Sequence, residues 1–261
     1  MTRWLLNTFP TWFLFAIVVG GFALVSAIGH RVVHRLWPDL RRGASHELAN
    51  ALMVILIGMY GIVLAFVIVA LYEEYKEAQQ TVEAEANELS QVYLDTRGLP
   101  EDVRDAIDAH IVAYVEILET EEWPLMERGE GSHEAEAELE ELYVVLQGYE
   151  PDTVAQETFY AEAVSRLNDL MASRRDRLEF AEQSLPTELL VLVVGGAVVL
   201  IGFMFFFGAE EARGQALMFT AVGAAVGFSL FVVVTLDHPF SGDVTVSPHV
   251  FEEGVLEHLF E

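Results

Sequence analysis

The chain has 261 residues, no cysteine and a formal net charge of −27 from 41 acidic and 14 basic residues, yet 53% of its residues are hydrophobic. The lack of cysteine excludes disulfides, thiolate metal sites and cysteine nucleophiles. The acidic excess excludes nucleic-acid binding, which depends on neutralising phosphates with Lys and Arg.

Four runs without a charged residue divide the chain, and they cover residues 4–29, 48–72, 189–209 and 214–236. Each is as long as the roughly 20 residues that a transmembrane helix requires. A soluble protein of this size rarely contains four such runs, so we predict four membrane-spanning helices. The first run is too long for a signal peptide, and no small-residue cleavage site precedes Arg31.

An even number of spans places the amino terminus, the central segment and the carboxy terminus on one side of the membrane. The loop at 30–47 carries four arginines, whereas the tail before the first run has only Arg3. The positive-inside rule therefore places this loop in the cytoplasm and the central segment outside it. The loop arginines are Arg31, Arg35, Arg41 and Arg42. Four basic residues also lie near membrane ends on the side of the central segment, and they reduce the difference in positive charge between the two sides. They are Lys76, Arg174, Arg175 and Arg177.

The central segment is a strongly acidic insert between the second and third spans. Residues 73–186 contain 30 acidic and 8 basic residues, a net charge of −22. Such a segment attracts cations and repels anions. We divide the chain into a first transmembrane hairpin at 1–72, the insert at 73–187, a second hairpin at 188–236 and a carboxy-terminal region at 237–261.

The second span is predicted to continue into the insert as one helix, because strong helix formers follow Tyr72 without a turn signal. Residues spaced alternately three and four positions apart form a seam along one face of this helix, as in helices that pack side by side. Only Glu85 interrupts the apolar character of this seam. The seam positions are Tyr75, Ala78, Val82, Glu85, Leu89 and Val92.

The last helix of the insert is predicted to begin near Pro151 and Asp152 and to carry a second heptad seam, which Arg174 alone interrupts. Its positions are Tyr160, Val164, Leu167, Met171, Arg174, Leu178, Ala181 and Leu185. Glu85 and Arg174 both stand about 20 Å from the membrane at 1.5 Å per residue. We therefore predict an ion pair between them within the seam; the alternative is that these side chains reach water.

Two shorter helices are predicted between the long ones. The first begins at Pro100 and should stop at Trp123, because Pro124 follows. The second begins after Ser132, a good helix cap, and ends at Gly148.

Special residues crowd the chain after the fourth span. Asp237, Pro239, Phe240 and Gly242 are typical of a turn that ends the helix at the membrane surface, with Asp237 accepting backbone hydrogen bonds and Phe240 inserted at the interface. The alternative is a metal site, because imidazole and carboxylate groups are suitable ligands, although the spacing of these residues matches no closed metal motif. Its candidate ligands are His238, Asp243, His249 and Glu252.

The final segment, 248–261, has an amphipathic pattern and lacks the basic face that anionic lipid favours, so docking on protein is preferred over lying on the membrane. Its apolar residues are Val250, Phe251, Val255, Leu256, Leu259 and Phe260.

No ionisable side chain lies near the middle of a span, which argues against a proton relay or an ion-coupled pump. Any pore would be lined by backbone, apolar or hydroxyl groups, with Thr220, Ser229 and Thr235 as candidates. Glycines offer close-approach points for helix packing, within one subunit or between subunits. They are Gly58, Gly61, Gly195, Gly196, Gly202, Gly223 and Gly227.

No nucleophile elbow, phosphate-binding loop or cofactor motif is present, so we predict neither an enzyme nor a bound cofactor. The two-plus-two layout of spans resembles a bacterial integral-membrane family of unknown function that is labelled bestrophin-like, over essentially the full length. The resemblance also rests on Glu85 with Ala86, the triplet Glu122, Trp123 and Pro124, and the segments 177–186 and 236–242. Bestrophins are pentameric anion channels, so the resemblance implies a homo-oligomeric pore with the insert in the cytoplasm.

The predicted fold is an all-α membrane protein with four transmembrane helices and an acidic antiparallel helical bundle inserted between helices 2 and 3. Its leading functional hypothesis is a homo-oligomeric, bestrophin-like ion channel. The second is a non-conducting membrane anchor or scaffold whose acidic bundle binds a partner or cations.

Overall fold

Helices account for most of the chain. The computed structural model describes residues 2–36, 46–205 and 212–260, and no β-strand occurs within these ranges. In chain order the helices are α1 (Thr2–Thr8), α2 (Thr11–Leu36), α3 (His46–Thr96), α4 (Glu101–Ile117), a π-helical segment (Leu118–Glu122), α5 (Trp123–Met126), α6 (His133–Gln147), α7 (Val154–Glu182), α8 (Thr187–Met204), α9 (Ala212–Leu236), a 3₁₀ helix (Pro248–Glu252) and α10 (Glu257–Phe260).

The chain forms two compact units. We call Met1–Glu74 together with Ser184–Asp237 the membrane unit, and Tyr75–Gln183 together with His238–Glu261 the acidic unit.

Four described helices, α2, α3, α8 and α9, are long and apolar enough to cross a bilayer, which confirms the four predicted spans. Two of the loop arginines, Arg41 and Arg42, lie outside the described residues, as does the end of the third apolar run at 206–209.

Helix α3 is continuous over 51 residues, which confirms that the second span runs on without a break. At 1.5 Å per residue it is about 76 Å long, more than twice the thickness of a bilayer's hydrocarbon core. Its inner seam is also confirmed, because Ala78, Val82, Glu85, Leu89 and Val92 are all buried.

The prediction that the helix from Pro100 stops at Trp123 is wrong. The backbone changes from α to π geometry at Leu118, and the Trp123 N–H bonds to the carbonyl of Leu118, five residues earlier. Trp123 then begins the short helix α5, in which Pro124 occupies the first turn. Proline is tolerated there because a first-turn N–H has no partner within the helix.

The other two helix starts of the acidic unit follow from side-chain caps. The Ser132 hydroxyl accepts a hydrogen bond from the N–H of Ala135, as the predicted cap requires. Thr153 and Gln156 form a capping box, so α7 begins at Val154, two residues after Asp152 and near the predicted start.

The carboxy-terminal segment docks on the acidic unit, as predicted. Phe251 and Leu256 are fully buried in its core, and α10 contacts α4. The segment is not one amphipathic helix, because Gly254 adopts a positive φ of 72° between the 3₁₀ helix and α10.

Glycines bring α9 against α2 in the membrane unit. A Cβ atom on Gly223 would lie 2.7 Å from the Phe22 carbonyl oxygen, and one on Gly227 would lie 3.0 Å from Val19 Cα. Gly196 likewise receives the ring of Tyr60, whose hydroxyl donates to the Val193 carbonyl at 2.9 Å.

The remaining predicted packing glycines contact no other helix among the described residues. Apart from their own helix's nearby backbone, no described atom lies within 4 Å of a Cβ built on any of Gly58, Gly61, Gly195 and Gly202. These positions are therefore open faces of α3 and α8 rather than contacts within one subunit.

Candidate functional site

A cluster of buried charges forms the polar centre of the acidic unit. Its charged members are Glu85 on α3, Glu122 at the end of the π-helical segment, and Arg174 and Arg177 on α7. Two carboxylates and two guanidinium groups make the cluster neutral overall. We call these four side chains the charge cluster.

Arg177 is the hub of the charge cluster. Its Nε lies 2.6 Å from Glu85 Oε2, and its Nη2 lies 3.0 Å from Glu85 Oε1 and 2.6 Å from Glu122 Oε1. The side chain is fully buried, and its guanidinium carbon lies 5.1 Å from the centre of the Trp123 ring. One guanidinium therefore joins α3, the π-helical segment and α7 through charge-assisted hydrogen bonds.

Arg174 completes the charge cluster on the other side of Glu122. Its Nη2 donates to Glu122 Oε2 at 2.5 Å and to the Ser132 carbonyl at 2.9 Å. The N–H of Ser132 in turn donates to Glu122 Oε2 at 3.0 Å. Glu122 thus holds the loop before α6 as well as α7.

The predicted pair of Glu85 with Arg174 is wrong, because each has a different partner. Glu85 binds Arg177 and the hydroxyl of Tyr114, whereas Arg174 binds Glu122. The cause is a rotation of α7: its buried positions are Ala163, Leu167, Leu170, Arg174, Arg177 and Ala181. Tyr160, Val164, Met171 and Leu178 of the predicted seam are only partly buried.

Aromatic rings enclose one side of the charge cluster. Trp123 packs edge-on against Phe240 and Phe251, with ring centres 5.7 and 6.4 Å apart, and its Nε1 donates to the Val246 carbonyl. Phe240 is therefore a core residue of the acidic unit, which corrects its predicted place at the membrane interface.

The environment of Glu122 favours its charged form. Burial alone would raise the pKa of this carboxyl group, but the guanidinium groups of Arg177 and Arg174 outweigh burial and lower it below its ordinary value. Burial and the neighbouring Glu85 raise the pKa of Tyr114 well above its ordinary value, so its hydroxyl stays protonated and donates. The charge cluster is thus charged, paired and suited to structural support rather than proton transfer.

The turn after α9 is anchored in the membrane unit by Asp237. Its Oδ1 accepts the N–H of Leu185 at 2.5 Å, which confirms the predicted role of Asp237 as a backbone acceptor. The pKa of Asp237 is raised to about 6, and burial is the largest cause. Glu74 also raises this pKa, whereas the Leu185 N–H and Arg3 lower it. Arg3 and Glu74 therefore both act electrostatically on the Asp237 carboxylate.

The rest of the predicted turn belongs to the acidic unit. Gly242 adopts a positive φ of 82°, and the Pro239 carbonyl accepts the N–H of Val246 at 2.9 Å. Of the four candidate metal ligands, only His249 and Glu252 come together, and they are joined by Glu119, which the sequence pattern did not single out. His238 is buried and Asp243 is exposed, and neither belongs to this group.

The three candidate pore hydroxyls are bonded within their own helix. Thr220, Ser229 and Thr235 each donate to the carbonyl four residues earlier, at 2.7, 3.0 and 2.8 Å. Only the acceptor lone pairs of these oxygens remain for another partner. Thr235 is buried, whereas Thr220 and Ser229 are partly exposed.

A family model described as Bestrophin-like domain matches residues 20–251. The crystal structure of a membrane protein aligns with a TM-score of 0.68 at 14% identity, covering 96% of this chain and 97% of that one. A bacterial bestrophin homologue from Klebsiella pneumoniae, crystallised as a point variant, aligns with a TM-score of 0.68 at 14% identity, over 96% and 99% of the two chains. No curated protein matches the sequence.

Replacing Arg177 by Met should destabilise the protein by about 3–5 kcal/mol, because the buried Glu85 loses its guanidinium partner and Glu122 keeps only Arg174. Arg175→Met, on the exposed face of the same helix, should change stability by no more than about 0.5 kcal/mol. Thermal unfolding in a mild detergent measures both. A double-mutant cycle should show stronger coupling of Glu85 to Arg177 than to Arg174; the reverse order would refute the pairing described above.

Asp237→Asn should stabilise the protein at high pH, because the variant buries no carboxylate. A folded-state pKa raised to about 6 means that the native state binds the proton more tightly than the unfolded chain. The wild type therefore gains stability as pH falls from about 7 to 4, and the advantage of the variant should shrink over this range. Melting temperatures of wild type and variant across this pH range measure the advantage of the variant. An advantage that does not vary with pH would contradict the raised pKa of Asp237.

Proposed function

The chain belongs to the bestrophin-like family, and on that premise we propose that it is a homo-oligomeric, channel-like protein of the plasma membrane. Its four apolar helices and its overall similarity to solved bestrophin homologues make it a membrane protein of the bestrophin fold.

The open face of α3 is the observation that carries the proposal. One face of its apolar part is buried in the membrane unit through Tyr60, Leu64, Val67 and Leu71, spaced by four, three and four residues. The opposite face exposes large apolar side chains next to Gly58 and Gly61. They are Met59, Ile62, Phe66 and Val69, which are 54–73% exposed.

Copies of the chain packed side by side would use this face. Glycines with no described neighbour within 4 Å allow close approach of another helix, and a single chain with four spans encloses little room for a pore. Gly195 and Gly202 give α8 the same property. A ring of copies would place apolar side chains along a central path.

The charge of the protein favours cations over anions as the permeant species. The net charge is −27, and residues 73–186 contribute −22 of it, which repels anions from the approach to the membrane. Inside the spans, the hydroxyls of Thr220 and Ser229 donate their hydrogen bonds to backbone carbonyls, so these oxygens can only accept further hydrogen bonds. Acceptor oxygens suit a cation.

The second candidate function is a non-conducting anchor whose acidic unit binds a partner or cations. The acidic surface supports it, since most carboxylates of the insert lie outside the charge cluster. We propose no catalysis for either candidate.

The loop arginines and the family resemblance place the acidic unit on opposite sides of the membrane. The arginine count of the loop after the first span places the unit outside the cytoplasm, whereas the family resemblance places it inside. Because the chain lacks cysteine, a single cysteine at exposed Glu140 can be labelled with an impermeant maleimide in intact cells. Labelling supports the arginine count, and protection until the cells are opened supports the resemblance.

Purified protein reconstituted into liposomes should conduct potassium faster than a halide. In mild detergent it should migrate as a complex larger than the 29.1 kDa monomer. Protein-free liposomes control for leakage. A monomer, or the absence of flux at all tested pH values and calcium concentrations, would contradict the channel and favour the anchor. Faster halide flux would contradict only the charge argument.

A further inference from the structure

Glu119, His249 and Glu252 bring three metal-binding side chains together on the surface of the acidic unit. One donor atom from each lies within 4.8 Å of the other two. Glu119 belongs to the π-helical segment, and the other two belong to the 3₁₀ helix Pro248–Glu252. The group is separate from the charge cluster, with which it shares no residue.

Local geometry explains why His249 and Glu252 face the same way. A 3₁₀ helix has three residues per turn, so side chains three positions apart lie above one another. Phe251, between them, is fully buried against Trp123 and fixes the orientation of this short helix. The Ser247 hydroxyl caps the helix by accepting the N–H of His249 at 3.3 Å.

The π-helical segment supplies the third donor. A π turn is rare and often occurs at functional sites, because its extra residue redirects a side chain. Oε1 of Glu119 is shielded from solvent and accepts no hydrogen bond from any described residue.

We propose that Glu119, His249 and Glu252 form a binding site for a divalent transition-metal ion of the Zn²⁺ class. Two carboxylates and a neutral imidazole provide a charge of −2, which the ion neutralises. It also supplies the partner that the shielded oxygen of Glu119 lacks.

The donor set selects the class of metal. Imidazole and carboxylate suit Zn²⁺ and its neighbours, whereas Ca²⁺ takes six to eight oxygen ligands and Mg²⁺ keeps several waters. Tetrahedral Zn²⁺ with bonds near 2.1 Å needs donors about 3.3 Å apart, which requires the trio to contract by up to roughly 1.5 Å. His249 and Glu252 are exposed, so their side chains have the freedom to make this movement.

Metal binding would join the carboxy-terminal segment to the π-helical segment. Glu119 lies 130 residues before His249 and 133 before Glu252 in the chain. The two elements are already held near each other, because Trp123, which directly follows the π-helical segment, packs against Phe251 of the 3₁₀ helix. The ion would thus reinforce an existing contact. Three protein ligands leave a coordination position open to water or to a partner's side chain.

The test is zinc binding to the full chain in detergent, measured by calorimetry at neutral pH after chelator treatment. The wild type should show one site that is tighter than the background of an acidic surface. Glu119→Gln and His249→Ala should each weaken this site by about tenfold or more, because loss of even an outer-shell partner costs about 10–100-fold. Glu252→Gln should do the same and replaces Glu119→Gln if that variant does not fold.

His133→Ala is the matched control. His133 is an exposed histidine whose Nδ1 lies 3.8 Å from Glu136, also three positions away on a helix, but no described residue adds a third donor to this pair. Its replacement should leave the tight site intact. Hydrogen exchange provides a second readout: zinc should slow exchange of amides at 247–256 in the wild type and in His133→Ala, but not in His249→Ala.

Equal zinc affinity of His249→Ala and wild type would overturn the proposal. So would an equal loss of affinity in His133→Ala, which would show only surface binding to scattered carboxylates. Neither result would bear on conduction, because the flux experiment uses protein without added zinc.

Discussion

The buried guanidinium of Arg177 is the interaction on which the acidic unit depends. An arginine that has lost all contact with water keeps its charge, so carboxylates must be brought to it. Glu85 and Glu122 meet this demand from two different helices, and Arg174 balances the second carboxylate. The pairing fixes the rotation of α7 and the height of α3 relative to the π-helical segment. A purely apolar seam would tolerate several registers, whereas paired charges tolerate one.

The two units treat charge and apolar surface in opposite ways. The acidic unit places paired charges inside and many carboxylates on its surface, whereas the membrane unit exposes large apolar side chains on α3, α8 and α9. An exposed apolar surface of this kind is stable only in lipid or against further copies of the chain. The acidic surface and the apolar faces together support a membrane assembly that attracts cations. The proposed zinc site lies on the surface of the acidic unit and would join the carboxy-terminal segment to the π-helical segment.

Much of the fold could be predicted because its signals are local or periodic. The lengths of the apolar runs predicted the four spans, and the lack of a turn after Tyr72 predicted the continuous helix α3. The rotation of α7 could not be predicted from apolarity. Two heptad registers share Leu167, Arg174 and Ala181, and the one with Leu178 looks more apolar than the true one with Arg177. Only the partner Glu122, distant in sequence, decides between them. Glu119 escaped notice for the same reason, since it lies 130 residues before His249.

A density map of the full chain in lipid nanodiscs, at a resolution that shows side chains, tests the central claim most directly. The account predicts continuous density from the Arg177 guanidinium to the carboxylates of both Glu85 and Glu122. A map in which Arg177 points to solvent, or in which Glu85 joins Arg174 instead, would contradict it.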